Sequence, residues 1–450
     1  MQLRATRLTC IAHAARRAVA PAFTPTLLFA SGEQGVWYDP SDMTTLFQDA
    51  AGTVPVTAVE QPVGRMLDKS GRGNHATQAT AINRPVLSAR VNLLAKTEQF
   101  NESPWGGSGI SVQADAEGTA DKLIPSTTST SQIRTQGSIS VTPNTTYKLS
   151  IKAKKSGYRY FYFAIISAPT AGRIFDFDTG AYTSAITGSA TYESESLPDG
   201  YFLLTQTFVT GANVTSVVVE AGVRDAPSFA VFAGDGVSGV LVKEADLRAS
   251  NDGVGLPPYQ RVNTATDYDS GPEWPRYLRF DGIDDGMVTS TITPGTDKVQ
   301  VFAGVRKLSD AETTILLEFS AATDTNNGTL HVAQLTGPSR WQFISKGNGA
   351  SASIANASAA PISSLLTGIG DISNDLSTLR IDGTQAAQSA ADQGTGNYLA
   401  YPLYIGRRGG TSLPFNGRLY PLIVRFGPTL TAEQIAQTET WVNSKTRAYA

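Results

Sequence analysis

Along most of the chain apolar and polar residues alternate with period two over short runs, and each run is closed by Gly, Pro, Asn or Asp. Over the stretch TYKLSIKAKK the alternation places Tyr147, Leu149, Ile151 and Ala153 on one face and Lys148, Ser150 and Lys152 on the other. The stretches 159–166, 201–210, 216–223 and 239–245 repeat the texture, as do VQVFAGVRK, TTILLEFS, RWQFISK and GRLYPLIVRFG further on. This pattern predicts antiparallel strands joined by tight turns. One segment departs from it. TAEQIAQTETWVNSKTR predicts a helix, with Thr431 and Gln434 at capping-box spacing, Ile435 and Val442 on one face, and Lys445 and Arg447 at the end that favours cations. The expected fold class is all-β: two antiparallel jelly-roll sandwiches, one inserted in the other, with a basic N-terminal arm and a C-terminal helix.

Composition narrows the functions. The 36 Lys and Arg nearly balance the 39 Asp and Glu, so no basic excess exists to grip a phosphate backbone and nucleic-acid binding is not expected. Cys10 is the sole cysteine, which excludes an intrachain disulfide and cysteine-based metal centres. The three histidines, His13, His75 and His331, are scattered. No apolar run reaches the roughly 18 residues of a membrane span, so insertion is not expected. The basic start resembles a signal peptide, yet its apolar stretch is broken by His13, Arg16 and Arg17, and it is read as retained.

Four segments follow. Residues 1–32 carry Arg4, Arg7, Arg16 and Arg17 with no acidic residue, and are expected to form an arm that docks on a partner. Residues 33–90 hold too few apolar positions to fold alone. Residues 91–262 and 263–450 each carry a full set of strands.

The last segment resembles the LamG-like, concanavalin-A-type jelly roll in Phe280-Asp281-Gly282-Ile283-Asp284-Asp285, Arg380-Ile381-Asp382-Gly383, Ile405-Gly406-Arg407 and Phe415-Asn416-Gly417-Arg418-Leu419. The same family commonly carries a stretch like Asp68-Lys69-Ser70-Gly71-Arg72-Gly73-Asn74-His75, here roughly 200 residues earlier. The resemblance therefore implies that 33–90 and 263–450 form one jelly roll around an inserted 91–262. The insert resembles carbohydrate-binding-module-like jelly rolls of phage virion proteins, in Asn92-Leu93-Leu94, Glu98-Gln99-Phe100, Trp105, Ala120-Asp121-Lys122-Leu123 and the run from Val141 to Tyr147. The phrase from Pro258 to Tyr268 is similar to linkers of phage tail and head-fibre proteins.

Candidate chemistry is sparse. Glycan hydrolysis usually takes two carboxylates about 5–10 Å apart. Asp176/Asp178 and Glu193/Glu195 have strand spacing, but both pairs are expected on solvated turns or loops, and no catalytic residue is assigned. Gly234 to Gly239 satisfies GxGxxG, yet an apolar strand follows where a dinucleotide site needs a helix, so a hairpin turn is expected. Asp281, Asp284 and Asp285 offer oxygen ligands suited to calcium, the one ion expected if any; capping the turn after Phe280 is the preferred role. His75 is expected to pack in its turn. Sugar rings stack on aromatic faces beside hydrogen-bonding groups. Period two sends Phe161 and Phe163 to the core and Tyr160 and Tyr162 outward, and with Tyr158, Tyr182 and Trp105 these tyrosines are the expected carbohydrate face. Trp341 and Arg407 are lesser candidates.

Together the resemblances imply a non-enzymatic phage or phage-like particle protein: a fibre, spike or capsid decoration on the virion surface. Its partners would be other virion proteins and host-surface polysaccharide, and a trimer would suit such a part, though no coiled-coil heptad enforces one. A secreted bacterial lectin or adhesin, and a glycan-degrading enzyme, are the alternatives.

Overall fold

The computed structural model describes residues 23–450 apart from 167–169, 187, 324, 338, 350 and 351. Among the described residues the strands form four antiparallel sheets, of eight, nine, six and six strands. The eight- and nine-stranded sheets face each other over one core that includes Val36, Tyr38, Leu46, Met66 and Leu87 from the early segment, and Leu278, Val301, Phe319, Trp341, Phe343 and Val424 from the late one. Burying each such side chain stabilises by about 1.5–3 kcal/mol, which the early segment alone has no partner surface to gain.

Strand pairing joins the two parts directly. Gln34–Tyr38 pairs with Asn416–Phe426, with Trp37 opposite Ile423. Val86–Ser88 pairs with Tyr277–Asp281, and Ala76–Thr77 with Met287–Thr289. Residues between these anchor points form the two six-stranded sheets. One contains Thr146–Ser156 beside Phe202–Val209 and Gly239–Ala249; the other contains Tyr160–Ile165 beside Ser216–Arg224. Their own core holds Leu149, Ile151, Phe161, Phe163, Phe175, Val219 and Leu247. The all-β class with one sandwich nested in another is thus the observed fold.

The strand Lys298–Lys307 is buried on both faces. Val299, Val301, Ala303 and Val305 enter the main core, while Phe302 faces a second cluster with Leu28, Phe29, Trp37, Leu365, Ile423 and Val442. That second cluster lies under the helix Ala432–Thr446. Its capping box is complete: Gln434 N–H donates to Thr431 Oγ1 at 3.2 Å and Thr431 N–H to Gln434 Oε1 at 3.0 Å. Arg447, in the left-handed region at φ 53°, ends it. Gly304 sets how closely the helix lies, because a Cβ there would stand 1.9 Å from Thr446 Oγ1.

Residues expected in a free arm are partly committed to this layer. Pro25–Phe29 forms a 3-10 turn, and the carbonyl of Leu28 accepts from Arg425 Nε at 2.7 Å. The expected docking residues Arg4, Arg7, Arg16 and Arg17 lie outside the described residues.

Candidate functional site

The expected carbohydrate face is not one surface. Trp105 is buried against Phe100, ring centroids 4.7 Å apart, and its Nε1 donates to the carbonyl of Lys96 at 3.0 Å. It is a core residue, because Arg134 holds the carbonyls of Phe100 and Trp105 and both rings enter the core of the nested sandwich. Period two held in the strand Tyr160–Ile165, with Phe161 and Phe163 in the core. The outward face is nonetheless covered. Tyr162 is 1% exposed, sits edge-on to Phe229 and donates its hydroxyl to Glu220, while Arg224 Nη2 donates to the same hydroxyl at 2.9 Å. Its ring packs against Gly222, where a Cβ would be 2.2 Å from it. Tyr160 remains half-buried beside the Arg159 guanidinium. Tyr158 accepts from Asp235 N–H and packs on Phe232; Tyr182 donates to the carbonyl of Glu193 and packs on Phe175 and Tyr192. Trp341, fully buried, belongs to the main core, and Arg407 fastens the carbonyls of Asp284 and Thr411.

Carboxylate pairs fare similarly. Arg159 forks onto Asp176, and this hydrogen-bonded contact holds the Asp176 carboxyl down at about 2, too acidic to store a proton near neutrality. Glu193 and Glu195 lie on the strand Ala190–Ser196 at a sheet edge, where a loop was expected. The Gly234–Gly239 stretch is a turn in which Asp235 accepts from the N–H groups of Val237 and Ser238. Ligand oxygens of Asp281, Asp284 and Asp285 lie within 4.8 Å of one another. Carboxylates suit calcium. Here, however, Asp281 Oδ1 accepts from the N–H groups of Ile283 and Asp284, and Asp285 Oδ2 from that of Asp281, so the turn is capped by its own side chains.

His75 also has a structural place: its Nδ1 accepts from Asp68 N–H at 3.0 Å.

What the fold does bring together is a polar cleft of about 150 Å³ at the neck where the nested sandwich leaves the chain and returns. Its walls are Thr97, Glu98 and Gln99 on the outgoing side, Arg261 and Asn263 on the returning side, and Asp115 and Thr119 at a hairpin tip. Asp121 sets the geometry. One of its carboxylate oxygens accepts from Phe100 N–H at 2.7 Å and the other from Asp115 N–H at 3.0 Å, so hairpin and outgoing segment are tied to one buried group. The returning segment is stitched on by Thr97 N–H to the Val262 carbonyl at 3.0 Å, and Thr97 Oγ1 lies 2.7 Å from the Tyr259 hydroxyl. Burial, then the nearby charge of Glu244, pushes the Glu98 carboxyl up. Arg261 is oriented by Asp267 at 3.1 Å and Asp269 at 3.4 Å.

The cleft therefore offers a guanidinium, two amides and two hydroxyls beside two carboxyl groups, over a volume of roughly five water molecules. Such a set can satisfy the hydroxyls of a small polar group. Sequence reasoning did not assign it. The only clue was that Glu98-Gln99-Phe100 and the phrase from Pro258 to Tyr268, two separate points of resemblance, flank the same insertion.

No family model matches the chain, and no curated protein does. Among solved structures, the receptor-binding domain of botulinum neurotoxin type G is similar over 40% of this chain and 46% of that one, at 11% identity and a TM-score of 0.28. Native heptameric SAP-like pentraxin from Limulus polyphemus is similar over 35% and 78%, at 12% identity and a TM-score of 0.30. The CBM40 of Ruminococcus gnavus IT-sialidase is similar over 32% and 83%, at 17% identity and a TM-score of 0.26. This chain spans less than half the length of the botulinum chain. TM-scores of this size carry no functional inference, and the fold assignment rests on the strand pairing above.

Proposed function

We propose that this protein is a non-enzymatic structural protein of a phage or phage-like particle, a fibre, spike or capsid decoration, whose nested sandwich adheres to host-surface polysaccharide. The observation that carries the adhesive part is the cleft at the neck, where Thr97, Glu98, Gln99, Asp115, Thr119, Arg261 and Asn263 converge. Polyhydroxylated ligands are held by such alternating donors and acceptors, and the cleft is too small for an extended apolar ligand. The particle assignment is supported by the resemblance of 91–262 and of the phrase from Pro258 to Tyr268 to phage virion parts. A non-enzymatic role is supported by Asp176, fixed in its ion pair with Arg159.

A glycan array tests the adhesive reading. The parent chain is expected to retain a polysaccharide class that the double variant Gln99→Ala/Asp115→Ala loses, with the melting temperature little changed. Equal retention by both would move the ligand elsewhere. Particle content after deletion of residues 1–22 tests the docking arm, and unchanged content would remove it.

A further inference from the structure

Where the two sandwiches meet, a cavity of about 230 Å³ lies between Tyr147, Ser140 and Thr142 of the nested sandwich and Arg306, Leu308 and Arg418 of the outer one. Arg306 and Arg418 stand on neighbouring strands, directly opposite each other in register. Both are at least nine-tenths buried. One acidic side chain, Asp252, lines the cavity with them. It is shared: Arg418 reaches both its oxygens, at 2.5 and 3.2 Å, and Arg306 Nε lies 3.3 Å from Oδ1 without making a hydrogen bond. The rest of the Arg306 fork is met by neutral groups, the backbone carbonyl and side-chain oxygen of Asn251 and the hydroxyl of Ser363. Nor does the nearby phenol supply a charge, since burial pushes the Tyr420 hydroxyl up to about 12 and keeps it neutral near pH 7.

Two guanidiniums against one carboxylate leave one positive charge uncompensated beside a cavity with room for roughly eight water molecules. Buried charge of this kind is costly unless paired. We infer that the seam binds a small oxyanion, held by the guanidiniums of Arg306 and Arg418 with Ser140 and Thr142 nearby. Sulfate or phosphate, and the carboxylate of an acidic saccharide, share that chemistry. The ligand would bridge the two sandwiches, because its partners come from both. This site is separate from the cleft at the neck and does not depend on it.

Calorimetric titration of the full chain at constant ionic strength, with chloride as the balancing anion, tests the inference. Sulfate, phosphate and galacturonate are the probes, at low millimolar concentration where general salting effects on stability are small. Saturable binding of one probe is expected, and the tightest of the three separates the inorganic source from the saccharide. Arg306→Met should weaken that binding about tenfold or more, as removal of a charge-assisted contact does. Asp252→Asn should tighten it, since the competing carboxylate is gone. That second variant decides the matter if Arg306→Met fails to fold. The absence of saturable binding by the parent chain, undiminished binding by Arg306→Met, or binding by Asp252→Asn no tighter than the parent's would each overturn the site.

Discussion

The backbone N–H of Trp37 donates to Asp68 Oδ1 at 2.9 Å, joining a strand of the outer sandwich to a turn 31 residues later. The same carboxylate accepts from Ser70 N–H, Ser70 Oγ and Asn74 N–H. Asn74 in turn donates to the carbonyl of Gly35 at 2.8 Å, and the Tyr38 hydroxyl donates to the carbonyl of Asn74. A turn-rich stretch with almost no apolar residues is thereby fastened to the strand that pairs with Asn416–Phe426.

Asp68→Ala should destabilise the outer sandwich by about 3 kcal/mol, because buried N–H groups of Trp37 and Asn74 lose their acceptor. Urea unfolding followed by tryptophan fluorescence reads this directly. A change under 1 kcal/mol would mean that water replaces the carboxylate.

Tyr162 and Tyr160 should separate cleanly despite their shared sheet face. Tyr162→Phe leaves Glu220 and Arg224 without their common hydroxyl and should cost about 1–3 kcal/mol. Tyr160→Ala, at a half-exposed position, should stay within about 0.5–1 kcal/mol of the parent. Thermal unfolding of the two single variants checks the contrast.

Asp285 predicts a pH dependence. Burial, then the charge of Asp281, pushes its carboxyl up to about 6, against roughly 3.9 in an unfolded chain. Between those values the folded chain binds more protons than the unfolded one, so this contribution is complete below about pH 4 and lost as pH rises through about 6. Asp285→Asn should remove the step, and its amide oxygen can still accept from Asp281 N–H. Urea midpoints across that range provide the measurement. Flattening of the parent profile by millimolar calcium, with no effect on the variant, would favour a cation in this turn.

Excision of the nested sandwich is a test of independence. The Gln260 side chain donates to the carbonyls of both Ala89 and Asp269, at 3.0 and 2.7 Å, so one amide bridges the outgoing and returning segments of the neck. Joining Arg90 to Asp269 through a short Gly/Ser linker should leave a cooperatively folding outer sandwich in which Arg306 and Arg418, relieved of Asp252, become solvated. Loss of cooperative urea unfolding would show that the two sandwiches fold only together.

Local pattern was enough for the elements. Alternation located the strands around Tyr147, Phe161, Phe208 and Val219, and capping chemistry located the helix from Thr431, because both are set by neighbours in the chain. The resemblance at Asp68–His75 and Phe280–Asp285 led to the nested topology, which no periodicity encodes. What period two cannot say is whether an outward face stays outward. Tyr162 points away from its own core and is still buried, since the loop bearing Phe229 folds back over it. The cleft at the neck and the paired arginines of the seam were likewise decided by tertiary structure alone. Their members stand far apart in sequence, Thr97 from Arg261 and Arg306 from Arg418, and only chain return at the neck and long-range strand pairing in the outer sandwich bring such residues together.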